Sequence, residues 1–241
     1  MLNWQDQAIT IATKRYGERN YLSWLLTKEH GKYSGYCRIY SRSSRNLLQR
    51  GQLVNVKWQA RLAEQLGNFQ LDLIQPLPWL IIENNHLLNV INYLCYALYH
   101  LLPEREVVST QFDSTLGLIE ALSTGDWWRQ LLHFELTLLK TCGYPLMLTK
   151  CNVNGSVEDL AYISPRTGAA VSAVAARGYE AKLLPWQPLL IDPLACTSAT
   201  NQEICAADEV VQFFMHKFLF KQHDLLMPAT RKNMLSPMVS A

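Results

Sequence analysis

Hydrophobic and polar residues alternate through the front of the chain. Val54, Val56, Trp58 and Ala60 interleave with Asn55, Lys57, Gln59 and Arg61, so a strand here has one apolar face and one polar, partly cationic face. Ile9/Ile11, Leu22/Trp24/Leu26 and Phe69/Leu71/Leu73 repeat the same period. Gly31, within Lys28-Glu29-His30-Gly31-Lys32, stands where a hairpin turns between a strand at Tyr21–Thr27 and one at Tyr33–Tyr40. Five short antiparallel strands in about 75 residues predict a small Greek-key barrel of the OB type, although an SH3-like barrel has the same strand count.

Pro76 and Pro78 end this pattern, and the period then changes. Leu87, Ile91, Leu94, Leu98 and Leu101 recur at helical spacing with apolar neighbours, which predicts a helix buried on most sides and closed by Pro103. A second helix is expected over 113–122, with Leu116 and Ile119 inward. A third starts at a cap on Asp126, passes through Trp127, Leu131, Phe134 and Leu138, and ends at Cys142 with Gly143 as C-terminal cap. Residues 144–190, rich in glycine and proline, read as an irregular insertion. The last helix is expected to start near Ala206-Ala207-Asp208, to run through Val210, Phe213, Phe214, Lys217 and Phe218, and to end before Pro228. The predicted architecture is therefore α+β: an OB-type barrel over residues 1–76, then an all-helical domain over 77–241.

Length and composition, 241 residues with 49% hydrophobic content, allow one large or two modest cores and exclude a disordered or collagen-like chain. Charge adds more. The first 61 residues carry eleven Lys/Arg against three acids, a local charge of +8, whereas the other 180 carry eleven against seventeen, or −6. The near-neutral total of +2 thus joins a basic front end to a mildly acidic body. A basic, strand-patterned module with interleaved tyrosines suits a polyanion whose bases stack on aromatic faces, that is, a nucleic acid. The alternative reading is a solvated positive face. The N-terminus shows no secretory pattern, and the most apolar segment, Leu87–Leu102, is interrupted by Asn89, Asn92 and His100 and is shorter than the roughly 20 residues of a membrane span. A soluble, cytoplasmic protein without membrane association is expected.

Catalytic motifs are missing. The sequence has no P-loop, dinucleotide fingerprint, helical metal-binding histidine pair or serine nucleophile elbow. His30, His86, His100, His133, His216 and His223 sit at no ligand spacing, and the acidic pairs Glu158-Asp159 and Asp208-Glu209 read as solvated acids or helix caps. Cys37, Cys95, Cys142, Cys151, Cys196 and Cys205 are dispersed, which predicts reduced thiols. The closest pairs lack the gap of about two to four residues that aims two sulfurs at one zinc ion. No catalytic residue, cofactor or metal is expected, and the enzyme alternative is a metal-dependent nuclease built on clustered acids.

Several short runs resemble a known family. Lys14-Arg15-Tyr16-Gly17-Glu18, the hairpin Leu25-Leu26-Thr27-Lys28-Glu29-His30-Gly31-Lys32, Gln49-x-Gly51-x-Leu53-Val54 and Leu66-Gly67-Asn68-Phe69 resemble the N-terminal domain of the bacterial RecO recombination mediators. Phe134-Glu135-x-x-Leu138-Leu139-x-x-x-Gly143-Tyr144, Cys151-x-x-x-Gly155, Ser164-Pro165-Arg166-x-Gly168, Phe218-Leu219 and Pro228-Ala229-x-Arg231 resemble its helical domain. The resemblance implies an OB-fold and a helical domain without a catalytic centre. It implies a protein that binds single- and double-stranded DNA, anneals complementary strands, works with RecR, and helps load RecA onto DNA coated by single-strand-binding protein. An RNA-binding OB module is the alternative within binding proteins, since no base-reading residue separates DNA from RNA.

On that reading the DNA-binding residues are Lys14, Arg15, Lys32, Arg38, Arg42, Arg45, Arg50, Lys57 and Arg61, with Ser41-Arg42-Ser43-Ser44-Arg45-Asn46 in the place of the family's arginine-rich loop and Tyr33, Tyr36 and Tyr40 as stacking faces. Arg129, Leu136, Leu139 and Lys140 are expected to hold the acidic tail of single-strand-binding protein. Two departures stand out. Some members hold zinc with Cys-x-x-Cys pairs, but here Cys151 is followed by Asn152-Val153-Asn154, and His133 stands where arginine is frequent.

Overall fold

The structure is a computed structural model that describes residues 2–40, 45–62, 64–125, 127–196, 198–232 and 234–235. The expected cap at Asp126 and the loop residues Ser41, Arg42, Ser43 and Ser44 lie outside them. The chain packs as two compact units, Met1–Gly125 and Asp126–Ala241.

The first unit opens with β1 (Leu2–Tyr16), β2 (Asn20–Thr27), β3 (Gly31–Arg38), β4 (Leu53–Ala60) and β5 (Asn68–Gln75). They close a barrel in the order β1-β2-β3-β5-β4, with β4 returning to β1. All pairings are antiparallel except β3–β5, where Tyr36 faces Asn68 and Cys37 faces Phe69. Strict alternation fills the interior with Ala8, Leu25, Tyr33, Cys37, Val54, Val56, Trp58 and Phe69.

One irregularity decides which side chains of β1 face out. Thr10 pairs with Leu25 and Ala12 with Trp24, so Ile11 is an extra residue in β1. Such a bulge shifts the alternation by one. Thr10 and Thr13 both point to the interior, where their hydroxyls donate to the Leu47 and Leu48 carbonyls at 3.0 and 3.2 Å. Lys14 and Tyr16, which simple alternation would turn inward, instead face outward.

Helices α1 (Trp79–Glu83), α2 (Asn85–Leu101) and α3 (Ser109–Ala121) complete the unit. The Asn84 side chain caps α2 by accepting from His86 and Leu87 N–H. Helix α2 covers β1, with Cys95 Sγ 3.8 Å from the Thr10 carbonyl, and so buries Ile9 and Ile11 on the outside of the barrel. The change of period after Pro76 therefore lies inside this first compact unit, which continues to Gly125. Helix α3 starts earlier than its apolar pattern suggests, because its buried first turns carry Gln111, Ser114 and Thr115, and the Ser114 and Thr115 hydroxyls donate to the Gln111 carbonyl. The linker before α3 is a strap: Glu104 bridges Lys32 on β3, and Arg105 N–H donates to the Lys32 carbonyl at 2.8 Å. The strap takes the part of the β3 edge that β5 leaves unpaired.

In the second unit, α4 (Trp127–Thr141) leads through Gly143, with φ +88°, into the expected irregular region. That region carries a small antiparallel sheet of β6 (Leu160–Ile163), β7 (Ala170–Ser172) and β8 (Leu184–Pro185), in the order β7-β6-β8. Helix α5 (Asn201–Phe214) begins about one turn earlier than expected, because Thr200 and Glu203 form a capping box. It continues as a π-helical segment over Met215–Phe220, and a short α6 (Ala229–Lys232) follows. Phe134, Leu138, Val211, Phe214 and Leu219 form the core. Within it, fully buried Arg231 of α6 donates to both Glu135 oxygens at 2.7 and 2.6 Å and to Asp208 at 2.5 Å, joining α4, α5 and α6.

Candidate nucleic-acid interface

The bulge at Ile11 brings Lys14 and Tyr16 onto the face that also carries Tyr36 and Arg38. Lys14 pairs with Leu22, which pairs with Tyr36; Tyr16 pairs with Asn20, which pairs with Arg38. These cross-strand rows place a cation and an aromatic ring on β1 and another of each on β3, two strand spacings or about 10 Å apart across β2. The Tyr16 and Tyr36 rings lie 5.5 Å apart at 46°, and the Arg38 guanidinium lies 5.5 Å from the Tyr40 ring. Tyr16 is 62% and Tyr40 74% exposed, so both rings present a face to solvent rather than filling the core. Such a face combines phosphate neutralisation with sequence-tolerant stacking.

Other predicted residues spread around this patch. Arg15 is exposed and folds back so that Nε donates to the Gly17 carbonyl at 3.0 Å, which sets its guanidinium beside the β1–β2 turn. Arg45 is exposed. Arg50 donates to Asn92 Oδ1 at 3.1 Å and sits apart, next to α2. Lys57 faces outward on β4, and Arg61 is exposed just beyond that strand. Tyr33 points into the barrel.

Lys32 needs a correction. It is 7% exposed, and its ammonium donates to the Tyr99 carbonyl at 2.8 Å. Burial lowers its pKa, partly opposed by the Glu104 carboxylate. Glu104 in turn accepts from Trp24 Nε1 and Ser34 Oγ. The Lys32 ammonium is therefore committed to α2 and withdrawn from the surface, while its main chain anchors the strap. Composition alone cannot separate such a committed cation from a free one.

On α4, Arg129, His133, Leu136 and Lys140 follow at spacings of four, three and four and share a stripe. Arg129 and Leu136 are half-buried, Lys140 is exposed, and the Arg129 guanidinium lies 5.0 Å from the Trp128 ring. Leu139 is fully buried, so it belongs to the core and not to this surface. Burial lowers the His133 pKa, opposed by Asp192.

The turns around Cys151 do not suit zinc. The Cys151 sulfur accepts the Ser172 N–H at 3.3 Å, and the Asn154 amide donates to Ser172 Oγ at 3.2 Å, so a hydrogen bond joins the two turns. Burial raises the thiol pKa, but backbone hydrogen bonds from Asn154, Ser172 and Val153 outweigh it and bring the value to about 7. One thiol, one amide and one hydroxyl do not form a zinc ligand set. Among the described residues, no group of three or more His, Cys, Asp or Glu is placed to hold a metal ion.

Comparison with protein families decides the identity of the fold. Residues 1–77 match the family described as recombination protein O N terminal, and residues 86–224 match recombination protein O C terminal. The chain belongs to the RecO family. It is similar over 98% of its length to the DNA repair protein RecO of Wolbachia sp. subsp. Drosophila simulans (strain wRi), at 34% identity and covering 100% of that protein. The corresponding protein of Rickettsia bellii (strain OSU 85-389) is 32% identical over 92% of this chain and 91% of its own. That of Cereibacter sphaeroides (strain ATCC 17029 / ATH 2.4.9) is 36% identical over 77% of each. The barrel is the RecO N-terminal region, and the OB-type expectation holds. RecO membership places this chain among DNA repair proteins of recombination. No helix among its described residues is long and apolar enough to cross a membrane.

Proposed function

We propose that this RecO protein is a DNA-binding recombination mediator that anneals complementary strands and assists RecA loading on single-stranded DNA in the cytoplasm. The observation that carries the reading is the outward face of Lys14, Tyr16, Tyr36 and Arg38, where cations flank one exposed and one half-buried ring. Annealing follows from partial neutralisation of two strands on one basic surface, which weakens their mutual repulsion and leaves bases free to pair. The footprint lies in residues 1–76 and comprises Lys14, Arg15, Arg38, Arg45, Arg50, Lys57 and Arg61, together with Arg42. The protein acts by bringing DNA and partners together, without breaking covalent bonds.

Salt dependence tests this reading. Each phosphate of a single strand that a variant no longer neutralises flattens the slope of log affinity against log salt by about 0.7. A Lys14→Ala, Arg38→Ala, Arg45→Ala variant is expected to lower the slope by about 2 and to weaken binding alike for unrelated sequences. A slope equal to that of the parent removes these residues from the footprint.

RecR and the acidic tail of single-strand-binding protein are the partners, and the tail is placed on α4. For the tail, the α4 stripe supplies cations at Arg129 and Lys140 on either side of half-buried Leu136. Charge reversal at exposed Lys140, Lys140→Glu, is expected to reduce tail-peptide affinity several-fold while stability changes little, since an exposed charge contributes about 1 kcal/mol or less. An unchanged titration curve would move the tail to another surface.

A further inference from the structure

The barrel face beside the tyrosine patch has an unusual composition. On the outside of β1, β4 and β5 three rows run across the strands: Asn3–Gln59–Asn68, Gln5–Lys57–Gln70 and Gln7–Asn55–Asp72. Seven of these nine positions are side-chain amides. All nine are exposed or half-buried, and among the described residues none of the seven amide groups is hydrogen-bonded within the fold. With strands about 4.8 Å apart and alternate residues about 7 Å apart, the rows tile roughly 10 by 14 Å of nearly uncharged hydrogen-bonding surface. Solvation alone does not account for it. Asn is disfavoured in strands, whereas Thr would keep the face wet at no such cost.

Two features indicate what this face takes. An amide presents a donor and an acceptor side by side, as does the edge of a nucleobase, whereas phosphate only accepts. The face is also continuous with the cation–tyrosine patch. Cys37 is opposite Phe69, so Arg38 and Gln70, one residue further along each parallel strand, are neighbours, and both line one groove with Tyr36 and Asn68. Gln70 then pairs with Lys57 on β4.

We propose that this amide-covered face is a subsite for the base edges of a single strand, entered from the Tyr36/Arg38 patch and passing over Gln70 and Asn68 toward Gln59, Lys57 and Asn55. The inference rests on the proposed nucleic-acid footprint and deepens it. The tyrosines stack, the cations hold phosphates, and the amides engage the Watson–Crick or Hoogsteen edges of unpaired bases. Amide contacts release no counterions. They therefore change affinity without changing its salt dependence.

The experiment uses the full chain with an Asn55→Thr, Gln59→Thr, Gln70→Thr variant, in which threonine keeps strand propensity and the amides are removed. Binding is measured across a salt series to a mixed-sequence single strand and to an abasic strand of equal length. Affinity for the base-bearing strand is expected to fall about tenfold or more with the salt slope unchanged, while affinity for the abasic strand stays at the parent value. Unchanged affinity for the base-bearing strand overturns the inference, and so does an equal fall on both strands, which would assign the amides to the sugar-phosphate backbone. If the triple variant melts well below the parent, the single variants Gln59→Thr and Gln70→Thr carry the same comparison. Failure of the footprint itself reads differently: the Lys14/Arg38/Arg45 variant would then keep the parent's salt slope.

Discussion

Replacing Arg231 by alanine is expected to cost the second unit about 3–5 kcal/mol, a large share of the roughly 5–15 kcal/mol that keeps a domain folded. Arg231 and Glu135 are fully buried, and the guanidinium meets Glu135 through two bonds and Asp208 through a third. Removing the cation leaves two carboxylates in the core. Gln212 continues to donate to Asp208 at 2.7 Å, whereas both guanidinium bonds to Glu135 disappear. Arg231→Lys keeps the charge without the planar fork that spans both Glu135 oxygens, so its stability is expected to fall between parent and alanine variant. Urea unfolding followed by tryptophan fluorescence, with Trp127 and Trp128 on α4 as reporters, measures the loss. A midpoint for Arg231→Ala close to the parent's would show that the triad is not what holds α6 to α4 and α5.

Gly31→Ala is the second large effect, and Gly17→Ala is its internal control. Both glycines have positive φ, +74° and +82°, so alanine at either carries the left-handed backbone cost of about 1–2 kcal/mol. They differ in what a Cβ would meet. At Gly17 nothing lies within 4 Å, whereas at Gly31 the Cβ would fall 1.7 Å from the Glu106 carbonyl oxygen. That oxygen is main chain and cannot rotate away, so the strap must move, carrying with it the Glu104 bonds to Trp24 and Ser34. The expected cost for Gly31→Ala is about 3 kcal/mol or more, at least twice that for Gly17→Ala. Equal destabilisation of the two variants would mean that the strap adapts freely to the hairpin turn.

The charge asymmetry, the five strands and the main helices were legible because each depends on local pattern. Alternation in β4 needs only the pleat, and the spacing of Leu87, Ile91, Leu94 and Leu98 needs only the helical repeat. The Thr200-x-x-Glu203 capping box was legible too, and attention to that signature sets the start of α5 one turn earlier than the apolar pattern does. The first turns of α3 were hidden for the opposite reason, since their buried residues are polar and bond to their own helix.

What the sequence determined by itself was the class of fold, the polarity of the two faces of β4 and the concentration of positive charge in the barrel. These follow from propensities and from the burial of apolar surface, which act residue by residue. Tertiary structure decided which charges are available and which face each one shares. The bulge at Ile11 turns Lys14 and Tyr16 outward to meet Tyr36 and Arg38, and only the pairing of β1 with β2 reveals it. Lys32 is withdrawn by Tyr99, 67 residues away, and Leu139 is withdrawn into its own unit's core. The amide rows form only because the barrel brings β1 beside β4 and β4 beside β5 in register. Register and burial are cooperative properties of distant segments, so no local reading of the chain contains them.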